Sequence, residues 1–182
     1  MATLVVGPFY LARALGLEAV GVGWVLSVGP LVAALAGVPA GRMADRFGAR
    51  RMTFAGLIAL GLGCFTLSAL PRTFGIGGYL APMVIITLGY AVFQTANNTV
   101  VMSDVAPDRR GVVSALLNLS RNLGLITGAS VLGAVFALAS HSVDINTAPP
   151  EAVARGMGMT FMVAWGLIGI ACMIALISRR SH

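Results

Sequence analysis

Charged residues are scarce in this chain, and one of the two strongly basic types is missing. Lysine is absent, twelve arginines stand against six acids, and only 10% of the 182 residues are charged. A soluble domain carries about 25% charged residues, so this composition excludes a water-soluble enzyme or binding module. Hydrophobic residues reach 58%, and the mean hydropathy is +0.91. The sequence therefore predicts an all-α, polytopic membrane helix bundle.

Residues that could carry catalysis or hold a metal are equally scarce. Cys64 and Cys172 lie inside apolar runs, while His141 and His182 lie outside them. No spacing among these residues suits a metal ion. An intramembrane enzyme would need a nucleophile with a base, or paired acids, within its spans, and no histidine or acid lies there. We therefore expect no cofactor, no metal and no enzymatic activity.

The arginines follow the pattern of membrane loops, since they lie in short breaks between apolar runs and form no single patch. We therefore expect no nucleic-acid partner, although a basic balance can indicate one. Three arginines fall on one side of the predicted spans and eight on the other. The positive-inside rule places the side with eight arginines, and with it the carboxyl terminus, in the cytoplasm. Residues 141–155 then form an outside loop of a protein in the cytoplasmic (inner) membrane, with the lipid bilayer as a partner. The eight arginines are Arg42, Arg46, Arg50, Arg51, Arg109, Arg110, Arg179 and Arg180.

Five apolar segments are long enough to cross a bilayer, because a span requires about 20 mostly apolar residues. A further apolar stretch, residues 3–15, provides only about 20 Å of helix. We therefore expect five full spans and an incomplete first helix, as if the chain started in the middle of that helix. A short interfacial or tilted helix is the alternative. The five full segments are residues 20–41, 52–70, 77–103, 112–140 and 156–177.

The break at residues 41–51, between the segments 20–41 and 52–70, has a specific pattern of glycine and charge. It reads GRMADRFGARR. Its single acid can accept hydrogen bonds from the surrounding arginines. The pattern resembles the G-x-x-x-D-R-x-G-x-R-R cytoplasmic loop of the major facilitator superfamily, which joins the second and third helices of each six-helix half. By this resemblance Asp45, Arg46 and Arg50 form a gate latch that breaks during transport. The signature positions are Gly41, Asp45, Arg46, Gly48, Arg50 and Arg51.

Two later stretches resemble the drug:proton antiporter branch of that superfamily. Residues 108–124 are similar to the fifth helix of the carboxyl-terminal half. Residues 124–133 are similar to a degenerate form of the antiporter pattern G-x-x-x-G-P-x-x-G-G, with Ala129 in place of proline and Leu132 in place of glycine, so the motif does not establish antiport by itself. Taken without the family, Gly124, Gly128 and Gly133 predict a close-packing helix face.

The resemblance implies that residues 1–182 are one half of a transporter that works by alternating access. Multidrug or small-organic efflux by proton antiport is the implied activity, with a small-molecule substrate. The implied partner is a missing amino-terminal half or a second copy of the chain. A truncated, non-transporting membrane fragment, or a helical partner of another membrane protein, is the alternative.

One charge, that of Arg121, lies within a predicted span, about 15 Å from the end of its segment. A charge inside a membrane needs partners and is a functional hypothesis by default. We expect it to belong to a polar cluster between the segments 77–103 and 112–140, either a cavity or gating network or a set of interhelical hydrogen bonds. No acid lies in mid-span, so a coupling carboxylate is expected outside this chain. The cluster comprises Gln94, Asn97, Asn98, Asn118, Arg121 and Asn122.

Overall fold

The structure is a computed structural model that describes residues 2–69, 74–140 and 148–180. All secondary structure in these ranges is helical, which confirms the predicted all-α class. A π-helical turn, Tyr10–Ala14, continues the first helix, and a 3-10 turn, Pro107–Arg109, precedes the fifth. The helices are α1 (Ala2–Phe9), α2 (Ala19–Phe47), α3 (Ala49–Ala69), α4 (Gly75–Ser103), α5 (Arg110–Ser140) and α6 (Pro150–Arg180).

Helices α2 to α6 are each long and apolar enough to cross a membrane, whereas the first apolar helix, Ala2–Ala14, is shorter. This confirms the prediction of five full spans and a short first helix. Apart from α3, with 21 residues, the spanning helices have 29 or 31 residues. At 1.5 Å per residue, 29 residues extend about 44 Å, well beyond a hydrocarbon core of about 30 Å. These helices therefore project into the interface or tilt.

The predicted loop at residues 41–51 is almost entirely helical. Helix α2 continues to Phe47 and α3 begins at Ala49, so Gly48 alone separates them. Gly48 has φ 88° and ψ 128°, a backbone conformation that residues other than glycine rarely adopt. One glycine therefore ends one helix and begins the next without a longer loop.

The predicted outside loop, residues 141–155, also differs from the structure. Helix α6 begins at Pro150, so residues 150–155 are helical. Proline suits the first turn of a helix because the missing N–H has no partner there. Residues 141–147, with His141, lie outside the described residues, as do Arg72 and His182.

Several serine and threonine hydroxyl groups within the spans donate hydrogen bonds to carbonyl groups of their own helices. Ser27 donates a hydrogen bond of 2.8 Å to the carbonyl of Gly23, and Thr66 donates one of 2.7 Å to the carbonyl of Leu62. Thr87, Thr99 and Thr127 bond in the same way to the preceding turn. This pattern suits a lipid environment, where polar groups must find their partners inside the protein.

The closest helix pair is α3 with α4, and glycines make this approach possible. A Cβ placed on Gly56 would lie 2.5 Å from the backbone nitrogen of Phe93. A Cβ placed on Gly89 would lie 2.8 Å from the backbone nitrogen of Leu60. The two backbones therefore touch where they cross, as small residues allow in membrane bundles. Helix α4 also packs on α2, and α3 packs on α6.

Most of the buried core lies at the end of the bundle opposite Gly48. Tyr79 near the start of α4, Phe136 near the end of α5 and Phe161 in the first half of α6 are each 1% exposed. The Tyr79 hydroxyl donates a hydrogen bond of 3.3 Å to the carbonyl of Thr3, which ties α1 to α4. By contrast, residues 110–131 of α5 include no buried residue. The bundle is therefore tightly packed at one end and open beside α5 at the other.

Candidate functional site

A cavity of about 450 Å³ lies between the second half of α4 and the first half of α5. Helix α5 packs mainly on α6 and on α1, and it barely touches α4. The gap between the two helices is therefore a consequence of how α5 is anchored at its far end. The predicted cluster residues on the cavity wall are Gln94, Asn97, Asn98, Asn118 and Arg121.

Helical spacing explains which side chains reach the cavity. On α4, Tyr90, Gln94 and Asn97 follow one another at intervals of four and three residues, so they share one face. On α5, Asn118 and Arg121 share a face in the same way. The neighbours Phe93, Met102, Ser114, Leu117, Ser120, Gly124 and Leu125 complete the wall.

One predicted member of the cluster, Asn122, does not line the cavity. It follows Arg121 directly, and one residue turns a helix by about 100°. Asn122 is exposed and lies about 40° around the helix from Asn118, on the side away from Arg121, just beyond the edge of the cavity wall. The structure therefore brings five of the six predicted polar residues together, and their role in transport stays a prediction.

The cavity side chains are not joined to one another. Within the described ranges, none of the six predicted cluster residues makes a side-chain hydrogen bond or an ion pair. Asn98, Asn118 and Arg121 are exposed, and Gln94 and Asn97 are half-buried. The wall thus presents free amide groups and a free guanidinium group to whatever enters.

The signature residues gather at the Gly48 end of the bundle. Asp45 and Arg46 lie in the last turns of α2, and Arg50 and Arg51 lie in the first turn of α3. All four side chains are exposed, and Asp45 makes no ion pair within the described residues. The Arg46 guanidinium lies 5.5 Å from the centre of the Phe47 ring, a cation–π contact. The charges that the resemblance assigns to a latch are thus close in the fold and not joined to one another.

The predicted close-packing glycines of α5 make little contact with other helices of the described chain. A Cβ on Gly124 or Gly128 would meet no atom within 4 Å, and one on Gly133 would be in ordinary contact, 3.7 Å from Val5. Within the described part of the chain, Gly124 and Gly128 therefore pack closely against no neighbouring helix, and their role as a close-packing face stays a prediction. The physical reason is that this stretch of α5 leans away from α4.

The glycines that do pack tightly were not singled out from the sequence. They are Gly56 and Gly63 of α3, Gly89 of α4 and Gly156 of α6, which lies against the Phe136 ring. One signal was available: Gly56 and Gly63 are seven residues apart, so they lie on the same face two turns apart. That spacing does not indicate which helix packs against these glycines.

No group of three or more histidine, cysteine or acidic residues that could hold a metal occurs in the ranges that the structure describes. The acids there lie at helix ends. Glu18 directly precedes α2, and Asp104 directly follows α4. Asp108 lies in the 3-10 turn, 3.9 Å from Arg109, and both side chains are largely exposed. Among the described residues, the cavity wall holds no acid, and it combines amides, hydroxyls, aromatic rings and one arginine with the apolar side chains of Met102, Leu117 and Leu125.

The curated relatives that the chain resembles include three transport proteins. The chain is 30% identical over 132 residues to the uncharacterized transporter YebQ of Escherichia coli (strain K12). The aligned residues cover 72% of this chain and 29% of YebQ. It is 28% identical over 130 residues to the riboflavin transporter RibZ of Clostridioides difficile (strain 630), with 71% and 28% covered. It is 27% identical over 137 residues to the multidrug efflux pump LfrA of Mycolicibacterium smegmatis, with 75% and 27% covered.

The chain thus matches less than a third of the length of each of these relatives. No solved structure matches it. The family model of the Major Facilitator Superfamily matches residues 1–180. Together with the five membrane-length helices and the signature at residues 41–51, this match shows that the chain belongs to the Major Facilitator Superfamily.

Proposed function

We propose that the chain forms one six-helix half of a transporter that moves a small organic molecule across the cytoplasmic membrane by alternating access. The cavity between α4 and α5 is the observation that carries this proposal. In transporters built from two bundles, the substrate lies between the halves near the middle of the membrane. A cavity wall of exposed polar side chains on one half suits that position. The facing wall comes from an amino-terminal half or from a second copy of the chain.

The uneven packing of the bundle supports a moving half. The core around Tyr79, Phe136 and Phe161 holds one end together, while residues 110–131 of α5 have no buried residue. A bundle of this kind can rotate as a unit about its packed end and keep an open face toward its partner. The Gly48 end then faces the cytoplasm, in agreement with the positive-inside rule.

Outward transport coupled to proton entry is the finer part of the proposal. The similarity of residues 108–124 to drug:proton antiporters supports it, as does the match to a relative described as a multidrug efflux pump. The relative described as a riboflavin transporter supports a small organic substrate more generally. The described acids lie at helix ends, so the coupling carboxylate of this mechanism belongs to the complementing half.

The test compares membrane vesicles from cells that carry the chain with vesicles from cells that lack it. Inside-out vesicles are energised, and a panel of fluorescent organic compounds is added while the proton gradient is followed with a pH-sensitive dye. We expect uptake of at least one compound, together with partial loss of the gradient, only where the chain is present. Equal behaviour of both vesicle types, with the chain detected by immunoblot, would contradict transport and favour a non-transporting membrane fragment.

Two matched variants connect the result to the cavity. Asn118→Leu changes the cavity wall, whereas Asn122→Leu changes an exposed residue one turn further along α5 that does not line it. Neither asparagine makes a side-chain hydrogen bond within the described ranges, so we expect both variants to fold equally well. Asn118→Leu should reduce transport, and Asn122→Leu should not. Equal transport by the two variants would remove the cavity from the mechanism.

A further inference from the structure

The charge of the cavity wall is one-sided. Arg121 is the one charged side chain among the residues that the structure places on the wall, and no acid is among them. Gln94, Asn97, Asn98 and Asn118 add side-chain N–H groups that can donate hydrogen bonds. A guanidinium keeps its positive charge at any physiological pH. The described wall therefore carries one positive charge and no negative one, beside amides that can both donate and accept hydrogen bonds.

Nothing nearby in the described chain neutralises this charge. Arg121 makes no ion pair there, and its side chain is exposed. Asp108, on the same stretch of chain, lies thirteen positions earlier, about 20 Å along a helical path, and it already lies beside Arg109. Asp104 is at the end of α4, ten positions beyond Gln94 and about 15 Å from it along the helix. The positive potential in the cavity thus remains available to a ligand.

The depth of the polar groups also fits a bound molecule. Arg121 is eleven residues from the start of α5, and Gln94 is nine residues from the end of α4, which place them about 17 Å and 14 Å from the same end of the bundle. Two rings, those of Tyr90 and Phe93, lie on the α4 side of the cavity. A flat molecule can pack against these rings while a carboxylate accepts paired hydrogen bonds from the guanidinium.

We propose that this cavity selects planar organic anions, with Arg121 holding the carboxylate and the amides of α4 binding the rest of the polar edge. The proposal rests on the transport function above and names its substrate class. A cation in the same place would be repelled by Arg121 and would find no carboxylate on this wall. The rival explanation is that a carboxylate of the complementing half pairs with Arg121, in which case the arginine selects no substrate.

The test measures the equilibrium binding of small probes to the protein. The protein is purified from its own membrane together with any subunit that copurifies with it. Three probes share one ring system and differ in charge: 2-naphthoate, its methyl ester and 2-naphthylmethylammonium. We expect the protein to bind naphthoate at least tenfold more tightly than the other two. Arg121→Gln should weaken naphthoate binding by about 10- to 100-fold, the range for a hydrogen bond to a charged group, and leave the ester nearly unchanged.

Arg109→Gln is the matched control, because it removes an exposed arginine that does not line the cavity. It should leave the binding of all three probes unchanged. If the protein binds the cation more tightly than naphthoate, the proposal is overturned. It is also overturned if Arg121→Gln weakens the binding of all three probes equally, a result that favours the rival ion pair. If the protein binds none of the three probes while vesicles still transport other compounds, anion selectivity is overturned and the transport function is not. Loss of vesicle transport as well removes the proposed function with it.

Discussion

The crossing of α3 and α4 gives the sharpest quantitative prediction, the effect of Gly56→Ala. The added Cβ would lie 2.5 Å from the nitrogen and 2.7 Å from the Cα of Phe93, and 2.8 Å from the carbonyl oxygen of Gly89. These are backbone atoms of a packed helix, so they cannot rotate away. Ordinary contacts begin at 3.4 Å, and the two helices must therefore separate by about 1 Å.

The expected cost follows from two opposing effects. Overpacking of a tight interface costs about 1–3 kcal/mol, and contact with three backbone atoms places this site near the upper value. Replacing glycine by alanine within a helix recovers about 1 kcal/mol of helix propensity. The net loss for Gly56→Ala is then about 2 kcal/mol, which corresponds to a Tm about 4–8 °C lower for a chain of this size.

The assay is thermal unfolding of the purified chain in detergent, followed by circular dichroism at a helical wavelength. Gly37→Ala is the matched control, since Gly37 lies within α2 and a Cβ there would meet no atom within 4 Å. Its Tm should stay the same or rise slightly. If the Tm of Gly56→Ala lies within 2 °C of the Tm of Gly37→Ala, the close crossing of α3 and α4 is not a feature of the folded protein.

Three further substitutions and one control test other parts of the fold in the same assay. Gly48→Ala should cost about 1–3 kcal/mol, because alanine is strained at φ 88°; an unchanged Tm would contradict the single-residue break. Phe136→Ala should cost about 3–5 kcal/mol, because this side chain is 1% exposed, whereas Phe74→Ala, at 61% exposed, should cost under about 0.5 kcal/mol. Tyr79→Phe removes the hydrogen bond to Thr3 and should cost about 0.5–1.5 kcal/mol, and no measurable loss would refute that bond.

The number and type of the spans could be predicted because a bilayer requires long apolar segments, and such segments are visible in composition. Their ends could not. Helix α2 continues six residues beyond Gly41, and α6 begins six residues before Gly156. Hydropathy marks where a chain leaves the lipid, whereas a helix ends where its backbone conformation changes. The arginines near Gly48 therefore indicated a loop, although the chain there is still helical.

The polar cluster could be predicted in large part, since helical spacing and depth place Gln94, Asn97, Asn118 and Arg121 together. Asn122 shows the limit of this argument, because the sequence did not indicate on which side of Arg121 the cavity lies. The packing glycines show a second limit. Tight approach requires two helices, and the sequence does not state which helix faces Gly56.

The open side of α5 has a consequence for how this protein can change over generations. Residues 110–131 of α5 contribute no buried residue to the fold, and substitutions at exposed positions usually change stability by less than about 0.5 kcal/mol. Under the proposed transport function, single mutations on this wall can therefore alter which molecules fit without endangering the fold of this half. The contact between Gly56 and Phe93 allows no such freedom. Under the same proposal, new substrate ranges should arise from the wall of α5, on a scaffold that the α3–α4 crossing keeps constant.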